Sequence, residues 1–192
     1  MIRLVQPAKD VDAILEIYAP IVANSHWSFE IDVPSKQIFQ ERLERIMRTH
    51  PFLVMESESK VVGYAYATSL RNRAAYAPST ETSIYLHPTA QGAGSGRKLY
   101  QTLFSILELS GYSQLFAGAT LPNKASAAFH NKMGFVQVGV WPKVGFKFNK
   151  WWDVGWWHRS LSPNYSNPMR IIPWADLKKK MEFTKMLDEH HS

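Results

Sequence analysis

The segment Gln91-Gly92-Ala93-Gly94-Ser95-Gly96 carries the plainest chemistry in the chain. Glycines at alternate positions let a backbone turn tightly and approach a ligand with no Cβ in the way. Leu99, Leu103, Ile106 and Leu107 follow at helical spacing and predict a helix from about Ser95 to Ser110. A glycine-rich turn feeding a helix aims successive N–H groups, and the positive end of the helix dipole, at an anion. Arg97 and Lys98 stand in the first turn, where helix electrostatics disfavour cations, and a bound anion accounts for them. The implied ligand is a pyrophosphate. A Walker loop would end in Gly-Lys-Ser/Thr, and this one does not. A dinucleotide fingerprint runs GxGxxG after the first strand, with an acid about 20 residues on. Here GxGxG follows the fourth strand and Glu108 falls inside a helix.

Glu81 stands near the start of a strand predicted at Thr80–Leu86, just before that loop. Alternation puts Glu81, Ser83 and Tyr85 on one face and Thr82, Ile84 and Leu86 on the other. Partial burial among apolar neighbours would raise its pKa into the range of a general base. Glu30 is the competing acid. His130 can donate a proton or a hydrogen bond, or be a packed helix histidine. Asn123 precedes a helix predicted at Lys124–Met133, and its amide either caps that helix or bonds a ligand. Arg71 and Arg73 share the loop Leu70–Ser79 with Tyr76. A guanidinium matches a carboxylate with two parallel hydrogen bonds, and the alternative is a pair of solvated arginines.

The elements that must hold these groups are readable from period. Ile2–Val5 reads as a strand and Val11–Ala23 as a helix with one apolar face. Pro34-Ser35 opens a second helix, with Ser35 its cap and Ile38, Phe39, Leu43, Ile46 and Met47 its apolar face. Phe52–Met55 and Val61–Ser69 read as a hairpin around the polar turn Glu56–Lys60. Leu115–Thr120, Phe135–Trp141 and Lys150–Trp157 are further strands. This mixed order predicts an α/β (α+β) sandwich rather than a barrel. From Ser162 the composition becomes turn-rich. Beyond Pro173, Trp174, Leu177 and Met181 share helical spacing, with Leu187 further along. That extension, 162–192, reads as a short helix docked on the domain 1–161 or on a partner, or as a loose tail.

The bulk properties exclude several classes. With no Cys among 192 residues, disulfides, thiolate ligands and a cysteine nucleophile are ruled out, and no metal site is expected. No apolar run reaches membrane-spanning length and the first residues lack a signal-peptide pattern, so a cytoplasmic enzyme is expected. The net charge of +6 suits a polyanionic ligand. Nucleic acid is not the expected partner, because the basic residues are scattered apart from Lys178–Lys180.

QGAGSG resembles the Q/R-x-x-G-x-G/A pyrophosphate signature of the GNAT superfamily of acyl-CoA-dependent N-acetyltransferases. SFE at 28–30, VVGYAYA at 61–67, RNRAAY at 71–76, TETSIYLHP at 80–88, LPNKASAAFHNKMGF at 121–135 and VGFKFNKWWDVGWW at 144–157 resemble the phosphinothricin N-acetyltransferase family. That family includes acetyltransferases of methionine sulfoximine and methionine sulfone. The likeness covers roughly residues 1–161. It implies the GNAT fold, a mostly antiparallel mixed sheet flanked by helices, with the pyrophosphate loop between the fourth strand and the third helix. It implies acetyl-CoA as coenzyme and a homodimer. It implies a base at Glu81, direct or through water, and His130 where many relatives place a Tyr that protonates the CoA sulfur. The pantetheine arm would lie in a splay between residues 80–87 and 115–120, along Ile84, Tyr85 and Leu86, with an oxyanion donor near Leu86. Asn123 and Ser126 would contact it, and Gln91 to Arg97 the pyrophosphate. Trp27, Phe29, Glu30, Arg71, Arg73, Tyr76 and Lys147 would form the acceptor site, Arg73 and Tyr76 ahead of Arg71. Trp152 borders it in the same motif, though the tryptophan cluster reads equally as core. Thr80 stands where the family usually has Val. The competing activities are acetylation of another small amine or of a protein N-terminus, and a non-catalytic acyl-CoA-binding module. Arg71 and Arg73 speak against polycationic acceptors.

Overall fold

The computed structural model describes residues 1–161 and 168–179. Its strands are β1 (Ile2–Leu4), β2 (Phe52–Ser57), β3 (Lys60–Ser69), β4 (Ser79–Leu86), β5 (Gln114–Leu121), β6 (Val136–Lys147) and β7 (Lys150–Ser160). They form one sheet in the order β1-β2-β3-β4-β5-β7-β6. Every pairing is antiparallel except β4–β5. The expected mixed, mostly antiparallel sheet flanked by helices is what forms.

Strand alternation sorts the side chains into two layers. Val54, Tyr64, Tyr66 and Tyr85 face α1 (Pro7–Asn24) and α2 (Lys36–Met47). Leu53, Met55, Ala65, Ala67, Ile84 and Leu86 face α3 (Ser95–Leu109). Leu99, Leu103, Ile106 and Leu107 of α3 are buried, as their spacing predicts. The Ser35 hydroxyl accepts the Ile38 N–H at 3.3 Å and starts α2. One position of its apolar face needs correction. Ile38 is exposed, whereas Phe39, Leu43 and Ile46 are buried. At about 100° per residue, Ile38 falls off the stripe those three define.

The hairpins are longer than the sequence suggests. Glu58 and Ser59 have φ of 49° and 62°, so the β2–β3 turn is two residues with both in the left-handed region. The β6–β7 hairpin closes the same way at Phe148-Asn149, with φ of 53° and 56°. Its sequence lacks the usual Asn-Gly. Register shifts at Gln137/Gly139 and Trp141/Gly145 also break the alternation that would have revealed the full strand.

The chain then returns to α3. The Ile172 N–H donates to the Ser110 carbonyl at 2.9 Å. Gly111, at φ +92°, permits that approach, since a Cβ there would lie 2.9 Å from the Arg170 carbonyl oxygen. A one-turn helix, α5 (Trp174–Leu177), buries Trp174 and Leu177 in the α3-side core. Residues 162–167, Lys180, Met181 and Leu187 lie outside the described residues.

Candidate active site

The sheet contains a fork. β4 and β5 pair only from Ser79–Gln114 to Glu81–Phe116. Beyond that, β4 stays on β3 as far as Leu86 and β5 stays on β7 as far as Leu121. Residues 82–86 and 117–121 therefore present edges to each other with no ladder between them. Buried backbone N–H and C=O groups need partners, and an extended amide-bearing ligand supplies them by adding itself as a strand. Ile84, Tyr85 and Leu86 lie along one edge of this fork and are half-buried.

The fork leads to the glycine turn. Gln91–Gly94 joins β4 to α3 through a short 3-10 turn at Pro88–Ala90. Gly94 caps α3 in the left-handed region, φ +81°, and no side chain caps that helix. A Cβ at Gly92 or Gly94 would meet nothing within 4 Å, so the turn faces open space. Ala93 and Arg97 are exposed and Ser95 is half-buried. Uncapped N–H groups at a helix start, with Arg97 and Lys98 beside them, suit a phosphate. The residues present fit a coenzyme with an amide-bearing arm and a pyrophosphate.

Glu81 stands where the fork opens. It borders a cavity of about 500 Å³ with Arg42, Arg45, Tyr66, Thr68 and Ser83. Burial pushes its carboxyl above the ordinary glutamate value, and the positive charge of Arg71 partly opposes this. A carboxylate whose proton affinity is raised by burial is a stronger base than an exposed one. Glu30 reaches the same cavity indirectly, through an ion pair with Arg42 at 2.5 Å. Arg42 and Arg45 were missed in the sequence. Their only signal is that they flank the buried seam of α2 at i and i+3.

The other expected acceptor residues divide into groups. Arg71 and Tyr76 border a slot of about 260 Å³ with Phe116, Trp141 and Trp156. Arg73 and Tyr76 border a compartment of about 330 Å³ with His50, Tyr112 and Ile171. Trp27 is exposed beside His26 and Phe29 lies on Gly145, and neither borders these cavities. Lys147 is buried, 4% exposed. Its ammonium donates to the Val22 carbonyl at 2.6 Å and the Ser28 carbonyl at 2.9 Å. It ties the β6–β7 hairpin to the loop carrying Ser28 and Glu30. Trp152 donates its indole N–H to the Lys147 carbonyl and stacks on His26. The tryptophans thus split, with Trp157 in the core and Trp141 and Trp151 exposed.

The far side of the fork is held by α4 (Lys124–Lys132). Asn123 caps it, accepting the Ser126 N–H at 3.0 Å. Its amide N–H groups have no partner among the described residues. His130 is buried among Tyr100, Phe129, Phe135 and Trp157. Its Nδ1 lies 2.8 Å from the Ser126 carbonyl oxygen, which can only accept, so Nδ1 carries the proton. Nε2 faces the Tyr100 hydroxyl at 3.4 Å. Burial lowers the His130 pKa, partly offset by the Ser126 bond. Near neutrality the ring is therefore uncharged, with a lone pair rather than a proton at Nε2. Among the described residues, no group of His, Asp and Glu could hold a metal ion. No helix there is long and apolar enough to cross a membrane.

A sheet forked between two parallel strands, with an acid at the fork and a glycine turn at its end, defines an acetyltransferase. Comparison with known proteins agrees. Residues 2–156 match the acetyltransferase (GNAT) domain family. The chain is 40% identical over 155 residues to a phosphinothricin N-acetyltransferase of Alcaligenes faecalis, covering 80% of this chain and 79% of that one. It is 34% identical over 148 residues to the L-amino acid N-acyltransferase MnaT of Escherichia coli, covering 76% and 85%. A crystal structure of a GNAT superfamily phosphinothricin acetyltransferase from Sinorhizobium meliloti, in complex with AcCoA, superposes with a TM-score of 0.83 at 31% identity, covering 92% and 97%. The chain belongs to the GNAT acetyltransferase family, and is related to its phosphinothricin and methionine sulfoximine acetyltransferases.

Proposed function

We propose that the protein is an acetyl-CoA-dependent N-acetyltransferase acting on the α-amine of a small amino acid or amino-acid analogue. Phosphinothricin, methionine sulfoximine and methionine sulfone, named for its relatives, are the first candidates. The observation that carries this reading is Glu81 at the opening of the β4–β5 fork, beside an arginine-lined cavity. Acetyl-CoA, when bound, supplies an acyl group activated as a thioester.

The edge formed by Ile84, Tyr85 and Leu86 offers backbone groups to the pantetheine amides, and the Leu86 region offers the oxyanion donor. Gln91 to Gly96 and Arg97 hold the pyrophosphate, with Asn123 and Ser126 beside the arm. Glu81 takes the proton from the attacking amine, directly or through one water. Arg42 and Arg45, with Arg71 and Arg73 nearby, favour an acceptor bearing a carboxylate and repel a polycationic one. No covalent enzyme intermediate is needed. A homodimer is expected through the unpaired edge of β6, where Val136 and Val140 are exposed. The reading places the enzyme in the cytoplasm, with no nucleic-acid partner.

His130 enters as a positioning residue. Its neutral ring donates its one N–H, at Nδ1, to the Ser126 carbonyl, so it packs α4 rather than protonating sulfur at neutral pH. His130→Phe is expected to lower stability by about 1–3 kcal/mol, because the buried ring's bonds to Ser126 and Tyr100 are lost. Turnover at neutral pH should fall less than threefold. A tenfold loss of kcat at unchanged coenzyme KM would restore the proton-donor role.

The test of the whole reading is CoA release over a panel of amines. Phosphinothricin or methionine sulfone should be turned over well above polyamines and aminoglycosides. Equal rates on unrelated amines would overturn the acceptor class and leave the coenzyme assignment. Coenzyme binding without turnover of any amine would leave an idle binding module.

A further inference from the structure

On the side of Glu81 away from α2 lies the slot of about 260 Å³. Its near wall is Phe116, the ladder partner of Glu81. Partners in a parallel ladder turn their side chains to one face, so this wall is next to the base. Its floor is Trp156, set in register between Gly118 of β5 and Gly139 of β6. A Cβ on Gly118 would sit 3.3 Å from the six-membered ring of Trp156, so that ring lies over bare backbone. Gly118 belongs to the stretch of β5 that has parted from β4. Trp156 therefore reaches the edge of the fork. Trp141 leans on it, with centroids 4.8 Å apart at 53°. Tyr76 closes the rim, and the Arg71 guanidinium stands 5.6 Å over the Trp141 ring. The Trp156 indole N–H is buried with no hydrogen-bond partner among the described residues.

We infer that this slot receives a planar aromatic side chain of the acceptor, so that aromatic α-amino acids are substrates alongside the small polar analogues. The inference rests on the acceptor reading above and narrows it. Three attachments of one α-carbon match three features around the fork. The amine meets Glu81. The carboxylate points to the cavity of Arg42 and Arg45 on the α2 side. The side chain enters the slot on the β5–β7 side. Four aromatic walls offer a ring offset-stacked and edge-to-face contacts that an aliphatic chain cannot use. A cationic side chain is disfavoured, because Arg71 already occupies the face of Trp141.

The experiment compares acetylation of tryptophan, phenylalanine, alanine and methionine sulfone by the full-length protein, and measures tryptophan binding calorimetrically with CoA present. Tryptophan should exceed alanine at least tenfold in kcat/KM. Trp141→Ala should cut that ratio at least tenfold. Trp141 is 43% exposed, so the fold should survive its loss. Tyr76→Ala, at a second exposed wall, should act in the same direction. Aromatic acceptors no better than alanine, or a ratio unmoved in both variants, would overturn the inference while methionine sulfone turnover keeps the wider reading. If no amino acid is acetylated, the wider reading fails and binding decides the slot. Tryptophan binding weakened tenfold by Trp141→Ala supports it, and no binding overturns it.

Discussion

Replacing Glu81 by Gln is expected to lower kcat by roughly 10²-fold or more, the usual contribution of a positioned general base. The chain should remain folded and become somewhat more stable at neutral pH. The sign follows from burial, which raises the Glu81 pKa in the fold above its ordinary value of 4.5. Such a carboxyl favours folding below 4.5, where it is protonated in both states. That advantage is lost as pH rises through the folded pKa, because the folded site resists ionisation. Glutamine never ionises and escapes the loss. Activity runs the other way. The base works only when deprotonated, so kcat/KM of the wild type should climb with pH through a pKa above 4.5. The Gln variant should lack that limb, and its deficit should shrink as pH approaches the pKa of the acceptor amine, where the amine needs no base. Steady-state rates from pH 5 to 10, with melting temperatures at each pH, check both signs. A variant within threefold of wild type near neutrality would remove Glu81 from the chemistry.

The places of Glu81 and the glycine turn in the fold were legible in the sequence because each depends on local order alone. A strand, a stop and a glycine turn before a helix can be placed along the chain without knowing what lies across from them. The face of β4 carrying Glu81, Ser83 and Tyr85 followed from period 2. What could not be read depends on distance in space. Arg42 and Arg45 share a cavity with Glu81 only because α2 lies beside the sheet face that carries Tyr66, Thr68 and Ser83. The aromatic slot depends on register, and the two shifts in β6 decide where Trp141 and Trp156 fall. His130 could be seen as a proton carrier from its type. The carbonyl that fixes its tautomer belongs to Ser126, and a backbone acceptor leaves no mark in a sequence.

Lys147 shows the same limit with the larger structural consequence. From its motif it reads as an acceptor-site cation, yet its ammonium is enclosed and donates to the backbone carbonyls of Val22 and Ser28. Lys147→Met keeps most of the stem and removes the donor. Two buried carbonyls then lose a partner, at about 1–3 kcal/mol each. A loss of about 2–4 kcal/mol is expected, and a melting temperature lower by about 5–15 °C. The loop it releases carries Ser28, bonded to the Tyr18 hydroxyl at 2.8 Å, and Glu30, paired with Arg42. The acceptor KM should therefore rise about tenfold, while the coenzyme KM stays put, since the fork and glycine turn lie on other elements. Burial also lowers the Lys147 pKa, with Glu30 opposing. The unfolded chain then holds that proton more tightly than the folded one, so wild-type stability gains on the variant as pH rises toward 10.5. Thermal melts across that range and separate KM values for the two substrates distinguish the outcomes. A raised acceptor KM with an unchanged melting temperature would mean that the lysine touches the acceptor itself, and the clamp would be wrong.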